Sequence, residues 1–280
     1  MVGINFMKSC ISVDIGGSSV KIGIFCPSPH FHSQKIMEIP HPDSWSEFPE
    51  YLLSSIYPME IEQIAVSCAG DIDSVSGVVR RSTVTRWHNY SLGLELDLLI
   101  KPSRKTVVIN DADAHLMGNR NGPGPLICIA LGTSLGFSVA NQNGDLARSA
   151  EGFNLDVGDL KLNTKATVKE AWWALGLPGL QELISLKGVT RGPIHFGHRL
   201  GSLILRLQAD TKYKGIPVVL SGGVITAYPS HILYGCLREI DDAELMDNIK
   251  VTLSPYPKAA ALVGAMRAAG YEMMGNCLSA

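Results

Sequence analysis

Glycines, hydroxyls and carboxylates recur together in four short segments of this sequence: Asp14-Ile15-Gly16-Gly17-Ser18-Ser19, Asn110-Asp111-Ala112-Asp113-Ala114, Gly132-Thr133-Ser134-Leu135-Gly136 and Ser221-Gly222-Gly223-Val224. The first, third and fourth each follow a short apolar run with the character of a buried strand, at residues 10–13, 126–131 and 216–220. A strand that ends in glycines and hydroxyl residues presents backbone N–H and side-chain O–H groups at one edge of a sheet, which suits phosphate oxygens. The second segment sets a carboxylate, Asp111, at the end of a strand over 106–109. A carboxylate within hydrogen-bond reach of a hydroxyl can accept its proton as a phosphoryl group arrives. Two phosphate loops, a lone acid and a later Gly-Gly turn point to phosphoryl transfer from a nucleotide.

The elements that must carry these segments alternate between strand and helix. Residues 11–14 and 20–25 read as a hairpin around Gly16-Gly17, with a third strand near 35–39. A helix follows over 44–56, for which Ser44 and Glu47 have the spacing of a capping box. A buried strand at 64–66 leads to Gly70, and a helix over 112–119 lies behind the strand 106–109. A second set begins at 126. Strands 126–131 and 136–140 flank the Gly132 turn and repeat the N-terminal design. Helical stretches over 168–186 and 194–208 precede the strand 216–220. A late strand at 251–253 and a closing helix over 258–269, stopped by Gly270, complete the chain. Two similar halves imply an internally duplicated α/β protein. Its N-terminal lobe would span 1–121 and its C-terminal lobe 122–280, with a nucleotide cleft between them. The hinge is expected near Asn119 to Pro125, where Gly122-Pro123-Gly124-Pro125 breaks the pattern.

The 280 residues are enough for two cores, and 46% hydrophobic against 18% charged residues is a globular balance. A net charge of −2 gives no electrostatic case for nucleic acid or for an anionic membrane. No apolar run approaches the roughly 20 residues that span a bilayer. The six cysteines form no C-x-x-C pair, and several sit in strand-like runs. They read as reduced, partly buried thiols of a cytoplasmic protein.

These motifs, in this order, resemble the ROK family of sugar kinases, within the actin-like ATPase (ribonuclease H-like) and hexokinase fold. The resemblance covers about residues 10–268. Asp14 to Lys21 is similar to the family's first phosphate motif, and Asn110-Asp111-Ala112 to its catalytic segment. Ser67-Cys68-Ala69-Gly70-Asp71-Ile72-Asp73, then Gly77-Val78-Val79, is similar to its PGxVD…GxV segment, with Ala69 where proline is usual. Gly132 to Gly136 is similar to the second phosphate motif, and Leu220 to Val224 to the adenosine motif. The family's zinc-binding histidine and three cysteines are replaced here by Asp159, Trp173, Leu175 and Leu180. Zinc needs nitrogen or sulfur donors, usually four, so the expectation is no zinc and apolar packing in its place. The tract from Glu182 to Ser221 is shorter than the family's, so the resemblance leaves the subunit contacts open, with a homodimer as one assembly. The expectation is therefore the kinase branch of the family and not its repressor branch, whose helix-turn-helix would need more residues than stand before Asp14.

The resemblance implies roles residue by residue. Asp111 is the general base; its ordinary alternative is a helix cap. Asp14 holds Mg²⁺, directly or through water, because magnesium prefers oxygen ligands and keeps several waters; its alternative is a turn aspartate. Gly16, Gly17, Ser18, Ser19, Gly132, Thr133 and Ser134 approach the ATP phosphates, and Gly222 and Gly223 let adenosine lie against the backbone. Lys21 reads as a structural or solvated lysine, and Asp113 as an exposed first-turn acid. Sugar hydroxyls would be bound by Asn110, Asp111, Gly70, Thr83, Asp156, Asp159 and Glu182. For Asp156, Asp159 and Glu182 the alternative is acids in water. Asp159 sets an acid where the family has a neutral donor, which favours an amino sugar or another cationic polyol. The expected activity is ATP-dependent phosphorylation of a sugar or amino sugar, at the 6-hydroxyl of a hexose. The alternatives are a non-catalytic sugar- or nucleotide-binding protein and a same-fold kinase for a non-sugar acceptor.

Overall fold

The computed structural model describes residues 8–26, 32–56, 60–148, 160, 167–243, 249–256 and 258–271. The chain divides into two units, residues 1–118 with 261–280, and residues 119–260.

In the first unit β1 (Ser9–Ile15), β2 (Val20–Cys26) and β3 (His32–Ile39) form an antiparallel meander. A 3₁₀ turn at Trp45–Glu47 precedes α1 (Phe48–Ile56). The expected capping box does not form. Ser44 makes no side-chain cap, its Oγ lies 2.7 Å from Ser46 Oγ, and the helix proper opens at Phe48-Pro49. Proline has no N–H to lose in a first turn, so it fixes the start there. β4 (Ile61–Cys68) then joins β1 in parallel. A small sheet of β5 (Asp71–Asp73), β6 (Val78–Arg81) and β7 (His88–Tyr90) leads to α2 (Leu92–Ile100). β8 (Val107–Asn110) pairs parallel to β4, and α3 (Asp111–Asn119) follows with no intervening loop. The main sheet runs β3-β2-β1-β4-β8. β1 is buried along its whole length, as a strand covered on both faces must be, which explains its run of Ile and Val.

The second unit repeats this plan. β9 (Leu126–Leu131) and β10 (Leu135–Ala140) form the hairpin. A 3₁₀ turn at Trp172–Leu175 enters α4 (Leu177–Ala209), which is broken at Gly188 (φ 82°, ψ 167°) into two helical stretches. β11 (Val218–Ser221) pairs parallel to β9; α5 (Gly223–Ala227) and α6 (Pro229–Asp242) follow, and β12 (Val251–Leu253) pairs parallel to β11. The order β10-β9-β11-β12 copies β2-β1-β4-β8 of the first unit. The fold is the expected duplicated α/β arrangement.

The closing helix α7 (Ala260–Ala268) departs from the expected boundary. All but its first residue belong to the first unit, not to a lobe of 122–280. Ser12 Oγ donates to Leu262 O at 2.8 Å, and an Arg267 guanidinium N–H group donates to Met117 O and Gly118 O at 2.8 and 3.0 Å. Gly264 packs on the α3 backbone at Ala114 and Gly118. Small residues on both helices allow this approach, which a linear reading of the chain does not reveal.

Candidate functional site

Register decides which side chains share the carboxyl edge of the first sheet. Asp14 on β1 stands opposite Ser67 on β4 and opposite Lys21 on β2, and Ser67 stands opposite Ile109 on β8. Ligands of open α/β sheets gather outside this edge. Ser67 Oγ donates to Asp14 Oδ1 at 2.9 Å, and Lys21 Nζ lies 3.8 Å from Asp14 Oδ2. Asp14 is buried, so a hydroxyl donor and a cation offset the cost of its charge. Lys21 is thus a structural partner of Asp14. Ser67 was not singled out from the sequence, because its role depends on β1–β4 register.

Asn110, Asp111 and Gly70 are brought together. Asn110 Nδ2 donates to Gly70 O at 2.9 Å, while Asn110 Oδ1 accepts the N–H groups of Ala112 (2.8 Å) and Asp113 (3.2 Å). Asn110 is therefore the cap of α3. Asp111 is the first helical residue, and its carboxylate accepts the adjacent Ala112 N–H at 2.9 Å. The residue is half-buried. Burial pushes its pKa up to about 6, the nearby Asp14 charge adds to the rise and Asp113 adds further, against the Ala112 N–H. Four residues on, His115 lies on the same helical face as Asp111. Burial holds its pKa below the usual value, Asp14 opposes that and Lys21 adds to it. The Cys68 thiol, at the end of β4, is raised by burial and then by Asp111 and Asp14.

Asp113 corrects an expectation. It is 1% exposed, not a solvated first-turn acid. α3 carries Ala112, Ala114, Leu116 and Gly118 buried around it, so it is covered on most sides and position 113 falls inside.

The first loop keeps Gly17 and Ser18 exposed. Gly16 N donates to Ser19 O at 3.1 Å, closing the turn. Ser19 Oγ donates to Glu38 Oε1 at 2.5 Å, so that hydroxyl braces β3. In the second loop Gly132 N donates to Ser134 O (3.0 Å), and Leu177 N at the head of α4 donates to Gly132 O (2.9 Å). Gly132 and Thr133 are exposed. Gly222 requires its glycine: at φ 95°, a Cβ there would sit 2.5 Å from Leu131 O. Gly223 is exposed with open space around it.

Thr83 and Glu182, also expected to bind sugar, lie at the surface. Thr83 is exposed in the turn between β6 and β7, and its neighbour Ser82 is the residue packed against Gly70. Glu182 is exposed on α4. Asp156 and Asp159 lie outside the described residues. Of the positions expected to replace zinc ligands, Leu175 and Leu180 are buried in the second core, whereas Trp173 is 63% exposed. The 3₁₀ turn explains the difference. With three residues per turn, residue 173 projects away from the side carrying Leu175. The cysteines Cys10, Cys26, Cys68, Cys128 and Cys236 are buried, and Cys277 lies outside the described residues. Among the described residues no helix is long and apolar enough to cross a membrane.

No protein-family model matches the chain, and no curated protein matches it in sequence. Solved structures do match in fold. A ROK family protein from Streptococcus pneumoniae TIGR4, in complex with sucrose, superposes at TM-score 0.75 and 17% identity, covering 94% of this chain and 100% of that one. A ROK family glucokinase from Streptomyces griseus, in complex with glucose and AMPPNP, superposes at 0.74 and 17%, covering 93% and 98%. A ROK family transcriptional regulator, a homologue of the E. coli Mlc protein, superposes at 0.71 and 14%, covering 93% and 77%. The chain has the duplicated actin-like fold of the ROK and hexokinase proteins.

Proposed function

We propose that this protein is an ATP-dependent kinase acting on a hydroxyl of a sugar or amino sugar. One observation carries the reading. Asp111 stands at the carboxyl edge of β8 with its pKa raised to about 6, while the cap of α3, the ordinary duty of an acid there, is performed by Asn110. A carboxylate that shares the cap with a stronger partner, and whose pKa is raised, suits a general base. The glucokinase of the same fold, solved with glucose and AMPPNP, supports the same class of chemistry.

Asp111 would accept the proton of a primary hydroxyl, the 6-position in a hexose. Gly70 and Asn110, joined by a hydrogen bond, would hold the acceptor beside it. The exposed backbone of Gly17 and Ser18, and of Gly132 and Thr133, would cradle the phosphates, with Gly222 and Gly223 against adenosine. Alignment and charge neutralisation supply most of the rate in such transfers.

The donor set fits a magnesium ion carried by the nucleotide. Among the described residues no three His, Cys, Asp or Glu side chains are grouped to hold a metal ion. Asp14 stands at the end of β1, where the first loop begins, and Mg²⁺ is ordinarily bound by one or two carboxylates plus phosphates and water. The ion, when bound, neutralises phosphate charge.

The regulator of the same fold, together with the exposed position of Glu182, favours one rival: a sugar- or nucleotide-binding protein without catalysis. ADP release with Mg-ATP across neutral hexoses, amino sugars and N-acetylated sugars, beside Asp111→Asn, separates the two. Sugar-dependent release abolished in the variant supports the kinase. Binding of sugar or nucleotide without turnover supports the rival. Neutral hexoses outperforming every amino sugar would remove the amino-sugar preference.

A further inference from the structure

The carbonyl of Gly16, at the start of the first loop, is held by a side chain from outside the loop. His41 Nε2 lies 3.0 Å from Gly16 O. A carbonyl only accepts, so this nitrogen carries the proton and donates. His41 sits between Pro40 and Pro42, just after β3. Its ring is 5.0 Å from that of Trp45, tilted by 59°. Trp45 is in turn fixed edge-on to Trp87 at 5.6 Å, and Trp87 Nε1 donates to Trp45 O at 3.1 Å. The imidazole therefore has a braced aromatic neighbour.

A trans peptide unit is planar, with its C=O and N–H pointing in opposite directions. Holding Gly16 O toward His41 thus turns the Gly17 N–H away from His41. The unit is flanked by glycine on both sides, where backbone rotation meets least steric resistance. Rotated by half a turn, it would offer an anion a carbonyl oxygen in place of an N–H. The second loop has the same requirement and meets it with backbone: Leu177 N–H holds Gly132 O, which orients the Thr133 N–H.

We propose that His41 is a positioning residue for the nucleotide phosphates, fixing the Gly16–Gly17 peptide so that the Gly17 N–H is presented to them. The inference rests on the kinase reading, because it needs a phosphate at the first loop. Nothing in the sequence pattern marks His41, since its partner is a backbone atom 25 residues away.

The test is calorimetric titration of the full-length wild type, His41→Ala and His41→Gln with Mg-ADP and Mg-AMPPNP. Glutamine retains an N–H donor near the position of Nε2. One hydrogen bond's worth of orientation predicts nucleotide binding weakened roughly five- to tenfold in His41→Ala. His41→Gln should recover to within about twofold of wild type on the same reasoning. Amide hydrogen exchange at Gly17 should be faster in His41→Ala alone, with thermal unfolding of both variants near wild type. A wild type that binds no nucleotide overturns the kinase reading and this inference with it. His41→Ala binding as tightly as wild type, or His41→Gln binding as weakly as His41→Ala, overturns this inference alone.

Discussion

Asn110 and Gly70 are joined by a 2.9 Å hydrogen bond from the Asn110 amide to the Gly70 carbonyl, while the other end of the same amide caps α3. One side chain thus ties the Gly70 turn to the helix that begins with Asp111. Asn110→Ala loses both ends and should cost about 1–3 kcal/mol of stability, read from denaturant unfolding. Asn110→Asp keeps the acceptor that caps α3 but sets a carboxylate against Gly70 O. The added charge beside Asp111 should raise the acid limb of the pH–rate profile further.

Asp111 carries a stability cost that Asp111→Asn should relieve. Its folded pKa of about 6 lies above the unfolded 3.8, so the native state binds more protons between those values and stability falls as pH rises through that window. The cost is fully present above pH 6, at most about 3 kcal/mol, and vanishes below the unfolded pKa. The variant should melt higher than wild type at pH 7.5, with the gap closing toward pH 4. Turnover of the sugar substrate should drop roughly 10²- to 10⁴-fold. In the wild type it should decline as pH falls through about 6, where the base is protonated. An unchanged melting temperature at pH 7.5 would show that the carboxyl is well solvated.

Gly264 on α7 has no room for a side chain, because a Cβ there would collide with Ala114 O of α3. Gly264→Ala must push the two helices apart, at a cost of about 1–3 kcal/mol or more. Chemical denaturation measures that loss. Because α3 begins with Asp111, turnover should also fall. A variant as stable as wild type would contradict this packing of α7 on α3.

Leu175 and Leu180 fill the second core at positions where the zinc-binding relatives are expected to carry cysteine. A zinc chelator should leave the melting temperature unchanged, since apolar packing holds this region. Leu180→Ala should cost about 2–5 kcal/mol. A chelator that lowers the melting temperature would mean that other residues hold a structural metal.

The sequence by itself determined the duplicated plan. The glycine-marked loops, the apolar runs before them and the hairpin in each half are local signals, and strand and turn formation depends on local chemistry. Asn110-Asp111 was legible as a short motif, but Gly70 joined it only through the family resemblance, since 40 residues separate it from Asn110.

Tertiary structure alone decided which residues meet. Ser67 supports Asp14 because β1 and β4 pair in one register, and His41 reaches Gly16 because β3 folds back beside the first loop. Asn110 rather than Asp111 caps α3 because β8 runs into that helix without a loop. Asp113 is buried because α3 is covered on most of its faces, and α7 returns to the first unit because Gly264 permits close contact with Ala114. Periodicity reports how a residue faces its own element. Which neighbour that face meets is set by pairing and packing between segments far apart in the chain, and those have no local signature.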